Sequence, residues 1–179
     1  MRRTLDALYR VSGVVAACCL ALIACLVLAQ IVGRMAGVLV PGADDLASYA
    51  LVATSFLALA YTLKAGGHIR VALLLRRLPP GPRRLAEVGA LALGSAITLY
   101  FTWFAIELAR LSWRFGDMSQ GVLPIPLWLP QSVMTLGLII LAVALIDELV
   151  LVLKGGLAGY QEAEIAEADA VERRLTGGE

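Results

Sequence analysis

Four long apolar runs, separated by short polar connections, limit what this chain can form. They cover residues 11–32, 46–63, 85–106 and 129–153. A helix that crosses the hydrocarbon core of a bilayer needs ~20 mostly apolar residues, and its backbone must form its hydrogen bonds within the segment. The sequence therefore predicts an all-α membrane protein with four transmembrane helices.

The overall composition supports this prediction. Of the 179 residues, 60% are hydrophobic and only 16% are charged, whereas a soluble domain usually carries about 25% charged residues. A chain of this size cannot bury so much apolar surface within itself. Lipid must cover the remainder.

The basic residues are distributed unevenly between the two sides of the predicted membrane domain. Twelve lysines and arginines lie in the N-terminal segment, the second connection and the C-terminal tail. Only Arg34, Arg110 and Arg114 lie on the other side. Because cytoplasmic segments are enriched in Lys and Arg, we expect both termini to be cytoplasmic. Residues 1–154 then form the transmembrane domain and residues 155–179 an acidic cytoplasmic tail.

The first apolar run has an alternative interpretation as a cleaved export signal. The segments Val15-Ala16-Ala17-Cys18 and Leu22-Ile23-Ala24-Cys25 both resemble the end of a bacterial lipoprotein signal. However, apolar sequence continues to Val32, which is longer than the core of a signal peptide. An uncleaved span is the favoured interpretation.

Small residues recur at every fourth position along the first run. They are Gly13, Ala17, Ala21, Cys25, Ala29 and Gly33. Small residues at this spacing allow two helices to approach closely, which is a main source of association energy in lipid. We predict that this small-residue stripe packs against a neighbouring helix. The alternative is that an alanine-rich sequence produces the pattern by chance.

The second connection contains a short segment, residues 68–78, that is too short to span a membrane. Its leucines and valine favour one helical face. We predict a short interfacial amphipathic helix between spans two and three, lying among anionic lipid head groups. The polar residues assigned to this role are His68, Arg70, Arg76 and Arg77. The alternative is a basic loop that only sets the topology.

The sequence offers few groups for chemistry. His68 is the only histidine, and the three cysteines all lie in the first apolar run. We therefore expect no catalytic residues, metal site, cofactor or disulfide, and nothing predicts nucleic-acid binding. No charge lies at the middle of a span; Asp147 and Glu148 lie near the end of the fourth. This pattern argues against an ion pathway, although a homo-oligomeric channel or a scaffold of another membrane complex remains the alternative function.

Several short motifs lie in a defined order in and between the spans. They are Arg34, Asp44-Asp45, Tyr49, Gly67-His68-Ile69-Arg70-Val71, Gly116, Ser119, Ile125-Pro126-Leu127-Trp128 and Gly137. Each is weak alone, but in this order, over about residues 11–153, they resemble the small permease subunits of tripartite ATP-independent periplasmic (TRAP) transporters. The chain departs from the family at Ala72, where an aspartate is common.

The resemblance implies a function and partners. Such subunits assemble with a large, multi-span membrane subunit that moves an organic anion, commonly a carboxylate, with a sodium gradient. A periplasmic substrate-binding protein delivers that anion. The resemblance thus implies an accessory subunit in the bacterial inner membrane, with the stripe packing against the large subunit.

A second implied surface lies at the periplasmic side, where the binding protein docks. The residues assigned to it are Arg34, Asp44, Asp45, Arg114, Asp117 and Gln120. The alternative is that these polar residues only cap helix ends at the lipid head groups.

Overall fold

A computed structural model of the chain describes residues 2–65 and 80–155, which contain four helices. These are α1 (Arg2–Met35), α2 (Ala43–Lys64), α3 (Pro80–Phe115) and α4 (Trp128–Leu153). All four are long and apolar enough to cross a membrane, so the prediction of an all-α membrane protein with four spans is confirmed. The predicted interfacial helix, with His68, Arg70, Arg76 and Arg77, lies outside the described residues, as does residue 156 onward of the predicted tail.

Helices α1 and α3 begin well before the apolar runs from which they were predicted. Hydropathy places the first run at residues 11–32, but α1 begins at Arg2. Leu5 and Tyr9 pack into the core, so contacts with other helices stabilise this polar extension. Helix α3 begins at Pro80, a residue favoured in the first turn because its missing N–H has no partner there.

The helices form an open row in the order α1, α2, α4, α3. Helix α2 packs against both α1 and α4, α3 packs against α4, and α1 touches α4 only slightly. Along the described chain, α1 and α3 form no substantial contact with each other. We call the end where α1 begins and α2 ends the N-terminal end. The opposite end, which carries connections 36–42 and 116–127, is the loop end.

Helix α1 packs against α2 along a seam with heptad spacing. Most of its buried and half-buried positions alternate in steps of four and three: Leu5, Tyr9, Ser12, Ala16, Cys19, Ile23, Leu26 and Gln30. This average spacing of ~3.5 residues is typical of two helices that wind around each other. Two hydroxyl groups bond across the seam, Ser12 Oγ to the carbonyl of Leu57 and Thr54 Oγ1 to the carbonyl of Ala16 at 3.2 Å.

Helices α2 and α4 approach each other most closely at Gly137. A Cβ atom there would lie 2.7 Å from the backbone carbon of Phe56, so only glycine fits between the two backbones. Small buried residues, Ala53 and Ala60 of α2 and Ala144 of α4, extend the contact. Small residues at a helix interface bring backbones together and increase dispersion contact.

Helix α3 packs against α4 through Leu91 and Val152, which are both buried. Farther along α3 the buried face is small or carries hydroxyls, at Ser95, Thr98, Thr102, Ala105 and Ser112. At the N-terminal end, Arg84 Nη2 donates to the carbonyl oxygens of Val152 and Leu153, both at 3.4 Å. A basic side chain at this position adds hydrogen bonds to the carbonyls at the end of α4 and suits the negative end of the helix dipole.

We expect Gly137→Ala to destabilise the purified protein by about 1–3 kcal/mol, because the added methyl group separates the α2 and α4 backbones. Gly89→Ala is the matched control, since a Cβ at Gly89 meets nothing within 4 Å. Thermal unfolding in mild detergent measures both. Equal melting temperatures for Gly137→Ala and the unsubstituted protein would contradict the close contact.

Candidate functional site

The small-residue stripe of α1 divides between two environments. Gly13 lies against α2, where a Cβ would be 2.8 Å from Tyr61 Cγ, and Gly33 lies against the following connection, where a Cβ would be 2.8 Å from the Val38 carbonyl oxygen. The four residues between them are exposed: Ala17, Ala21, Cys25 and Ala29. The stripe is therefore not one seam within the chain.

The four exposed stripe residues face away from α2. With ~3.6 residues per turn, positions 17–29 of the stripe fall on the side of α1 opposite its heptad seam. Val14, Leu28 and Val32 share this side and are 63%, 60% and 63% exposed. The outer face of α1 thus combines a shallow strip of small side chains with flanking aliphatic ones, a shape that accommodates another helix.

All six residues assigned to the docking surface lie at the loop end. Arg34 lies in the last turn of α1, Arg114 in the last turn of α3, and Asp44 and Asp45 in the first turn of α2. The remaining two, Asp117 and Gln120, lie in connection 116–127. Among the described residues, no ion pair joins Arg34 or Arg114 to a carboxylate.

The two aspartates at the start of α2 do different things. Asp44 is exposed, and its Oδ1 accepts a hydrogen bond from Gln30 Nε2 of α1 at 2.8 Å. Asp45 is half-buried, and its Oδ2 accepts from the backbone N–H of Leu123 at 3.2 Å. Sequence reasoning assigned both aspartates to the same surface. In the structure Asp44 bonds to α1, whereas Asp45 bonds to the connection 116–127.

Connection 116–127 has an ordered backbone of its own. Ser119 N donates to the carbonyl of Ile125 at 2.8 Å, and Leu127 N donates to that of Asp117 at 2.9 Å. Tyr49 OH of α2 donates to Ser119 Oγ at 2.6 Å. The connection therefore folds back on itself and is held to α2, as one compact loop.

Two tryptophans flank this loop, Trp113 near the end of α3 and Trp128 at the start of α4. Their rings lie 5.1 Å apart between centroids, and Trp113 is 69% exposed. Indole rings are enriched at the boundary between hydrocarbon and water. Their position fits a loop end located at a membrane surface.

A charge cluster at the N-terminal end was not found from the sequence. Lys64 Nζ of α2 lies 2.8 Å from Asp147 Oδ2 and 2.8 Å from Glu148 Oε1 of α4. The same ammonium group lies 5.4 Å from the ring centroid of Tyr9 of α1. Tyr9 and Glu148 are the largest fully buried side chains, at 2% and 1% exposure, in the part of the chain described.

This charge cluster connects three helices at one point. Removing ions from water is costly, and close opposite charges recover that cost only when both partners stay in place. Sequence reasoning placed Asp147 and Glu148 near the end of the fourth span but did not connect them with Lys64, which is 83 positions away from Asp147. One sequence signal would have suggested that these charges pair. A basic residue ends one span, and an acidic pair lies near the same end of another.

An apolar groove of about 440 Å³ lies between α2, α3 and α4. Phe56, Phe101, Phe104 and Met134 form part of its wall. Within residues 2–65 and 80–155, no group of three or more His, Cys, Asp or Glu side chains is placed to hold a metal ion. The described residues thus form packing faces, the compact loop of residues 116–127 and the charge cluster.

Comparison with known protein families gives a match over most of the chain. The model of a protein family described as "Tripartite ATP-independent periplasmic transporters, DctQ component" matches residues 23–155. The matched segment runs from the middle of α1 to just beyond α4, and it includes both loop-end connections and the three charged members of the charge cluster, Lys64, Asp147 and Glu148. No curated protein and no solved structure matches the chain.

We expect Lys64→Met to destabilise the protein by about 3 kcal/mol, because it leaves the Asp147 and Glu148 carboxylates without their ammonium partner. Lys154→Met removes the same charge from an exposed position and should change stability by less than about 0.5 kcal/mol. Thermal unfolding in detergent compares the two. A similar small effect of both substitutions would show that the charge cluster does not hold the helices together.

Proposed function

Because this chain belongs to the DctQ component family of the tripartite ATP-independent periplasmic transporters, we propose that it is the accessory small subunit of a sodium-driven secondary transporter. In this proposal the transporter imports an organic anion, a carboxylate, which a periplasmic binding protein delivers. A large multi-span membrane subunit carries the anion across the bilayer. The present chain braces that subunit and catalyses no reaction.

The exposed face of α1 is the observation that carries the bracing role. A helix in lipid gains little from the hydrophobic effect when it meets another helix, so association depends on close packing. The strip formed by Ala17, Ala21, Cys25 and Ala29 is exposed and lies opposite the internal seam. We assign the large subunit to this face.

The proposed orientation places the protein in the bacterial inner membrane with both termini in the cytoplasm. The excess of Lys and Arg in the N-terminal segment, the second connection and the tail supports it. The N-terminal end, with the charge cluster, then faces the cytoplasm. The loop end faces the periplasm.

The docking surface for the periplasmic binding protein is proposed at the loop end. Arg34, Asp44, Arg114, Asp117 and Gln120 are exposed there. Exposed charges of both signs steer a charged partner and select its orientation more than they add affinity.

We expect the tagged chain, extracted from native membranes in mild detergent, to co-purify with a near-stoichiometric multi-span membrane protein. Mass spectrometry of the purified complex identifies the partner. Purification of the chain alone, or only as a homo-oligomer, would contradict the proposed function and favour the channel alternative.

We expect Ala21→Phe to weaken this association by about 2 kcal/mol, or roughly thirtyfold, because a bulky ring prevents close approach of the partner helix. Ala96→Phe is the matched control, since Ala96 is exposed on α3. The yield of co-purified large subunit measures both variants. Equal losses would show that the outer face of α1 is not the specific contact.

A further inference from the structure

We infer that Asp45 is a positioning residue: it holds the docking loop 116–127, and the outward-facing side chains of that loop contact the periplasmic binding protein. The inference rests on the proposed function, because it places the loop end in the periplasm. It separates the residues that touch the partner from those that only hold the contact surface in place.

The docking loop has a half-buried face and an exposed face. Ser119 and Leu123 are half-buried, whereas Met118 and Val122 are 48% and 69% exposed, and Gln120 between them is exposed. One face of the loop thus lies on α2 and the other is free for a partner.

Two residues of α2 hold the inward face. Asp45 Oδ2 accepts from Leu123 N at 3.2 Å, and Tyr49 OH donates to Ser119 Oγ at 2.6 Å. Ser119 Oγ in turn accepts from Gly121 N at 3.2 Å. Because Asp45 and Tyr49 are four residues apart, they lie on the same face of α2.

The docking loop fits against α2 without spare room. A Cβ at Gly121 would collide with the carboxylate of Asp45, and a Cβ at Gly42 would collide with the side chain of Leu123. Gly42 also has a φ of 75°, a conformation that residues with a side chain rarely adopt. A methyl group at position 121 would therefore displace the Asp45 carboxylate and break its bond to Leu123.

A loop held in this way lowers the cost of binding. Ordering a free loop at an interface consumes part of the binding free energy, and a loop ordered in advance avoids that loss. Asp45 contributes through this ordering and not through its charge, because its carboxylate is half-buried against the loop. Met118, Gln120 and Val122 are uncharged, and Asp117 precedes them in the chain. Together they form a surface that fits an apolar protein patch with a polar rim.

The test measures the affinity of the transporter's own substrate-loaded periplasmic binding protein for the complex of this chain with its large subunit in lipid nanodiscs. Asp45→Ala should weaken binding on the order of tenfold, because it removes a hydrogen bond to a charged acceptor. Asp45→Asn should stay within about twofold, since its amide oxygen can still accept from Leu123. Asp6→Ala, the matched control, removes an exposed carboxylate from the opposite end of the helices and should also stay within about twofold.

A second variant tests the same contact from the loop side. Gly121→Ala should weaken binding about as much as Asp45→Ala, and the double substitution should weaken it little more than either alone, because both break one contact. Hydrogen exchange of the Leu123 amide should speed up in each of these variants. Recovery of the large subunit in the complex should be unchanged.

Specific outcomes would overturn the inference. Equal losses for Asp45→Asn and Asp45→Ala would show that the charge itself contacts the partner. Unchanged binding by Asp45→Ala would show that the loop is not the contact surface. Absence of binding by the unsubstituted complex would overturn the proposed docking function as well, so the two failures are distinguishable.

Discussion

The structure depends on close approach between helix backbones at positions where side chains are small. Lipid is as apolar as leucine, so the helices gain little by hiding apolar surface from it, and contact between helices must come from shape and hydrogen bonds. Gly137 against the backbone of Phe56 brings α2 and α4 together. Every other contact in the row is arranged around this pair, since α1 packs on one side of it and α3 on the other.

An open row of four helices exposes helix faces that a closed four-helix bundle would bury. A closed bundle turns its small and polar residues inward, whereas this row leaves the outer face of α1 and the groove beside α3 uncovered by the chain itself. Such an arrangement has more surface for its length than a bundle and suits a protein that functions by attachment. The buried charges lie near one end of the helices, so the structure gives no sign of a polar pathway through the middle of the described spans.

The spans could be predicted from the sequence because hydropathy depends on the chain alone. The contacts between them could not, because they depend on which residues from distant parts of the chain meet. The pairing of Lys64 with Asp147 and Glu148 and the use of Asp45 as a loop anchor are both of this kind. The stripe of α1 was predicted to pack against a neighbouring helix, and a step of four residues drifts around a helix. Its two glycines therefore pack within the chain, while its four middle residues are exposed.

The charge cluster also bears on how the protein is made. Helices α1 and α2 form one hairpin and α3 and α4 a second, and each has its own extensive packing. Lys64 belongs to the first hairpin, whereas Asp147 and Glu148 belong to the second. During synthesis the first hairpin therefore carries a lysine whose counter-charges have not yet entered the membrane. Joining the hairpins brings both carboxylates to the lysine, so this three-helix contact forms only after the last helix is in place.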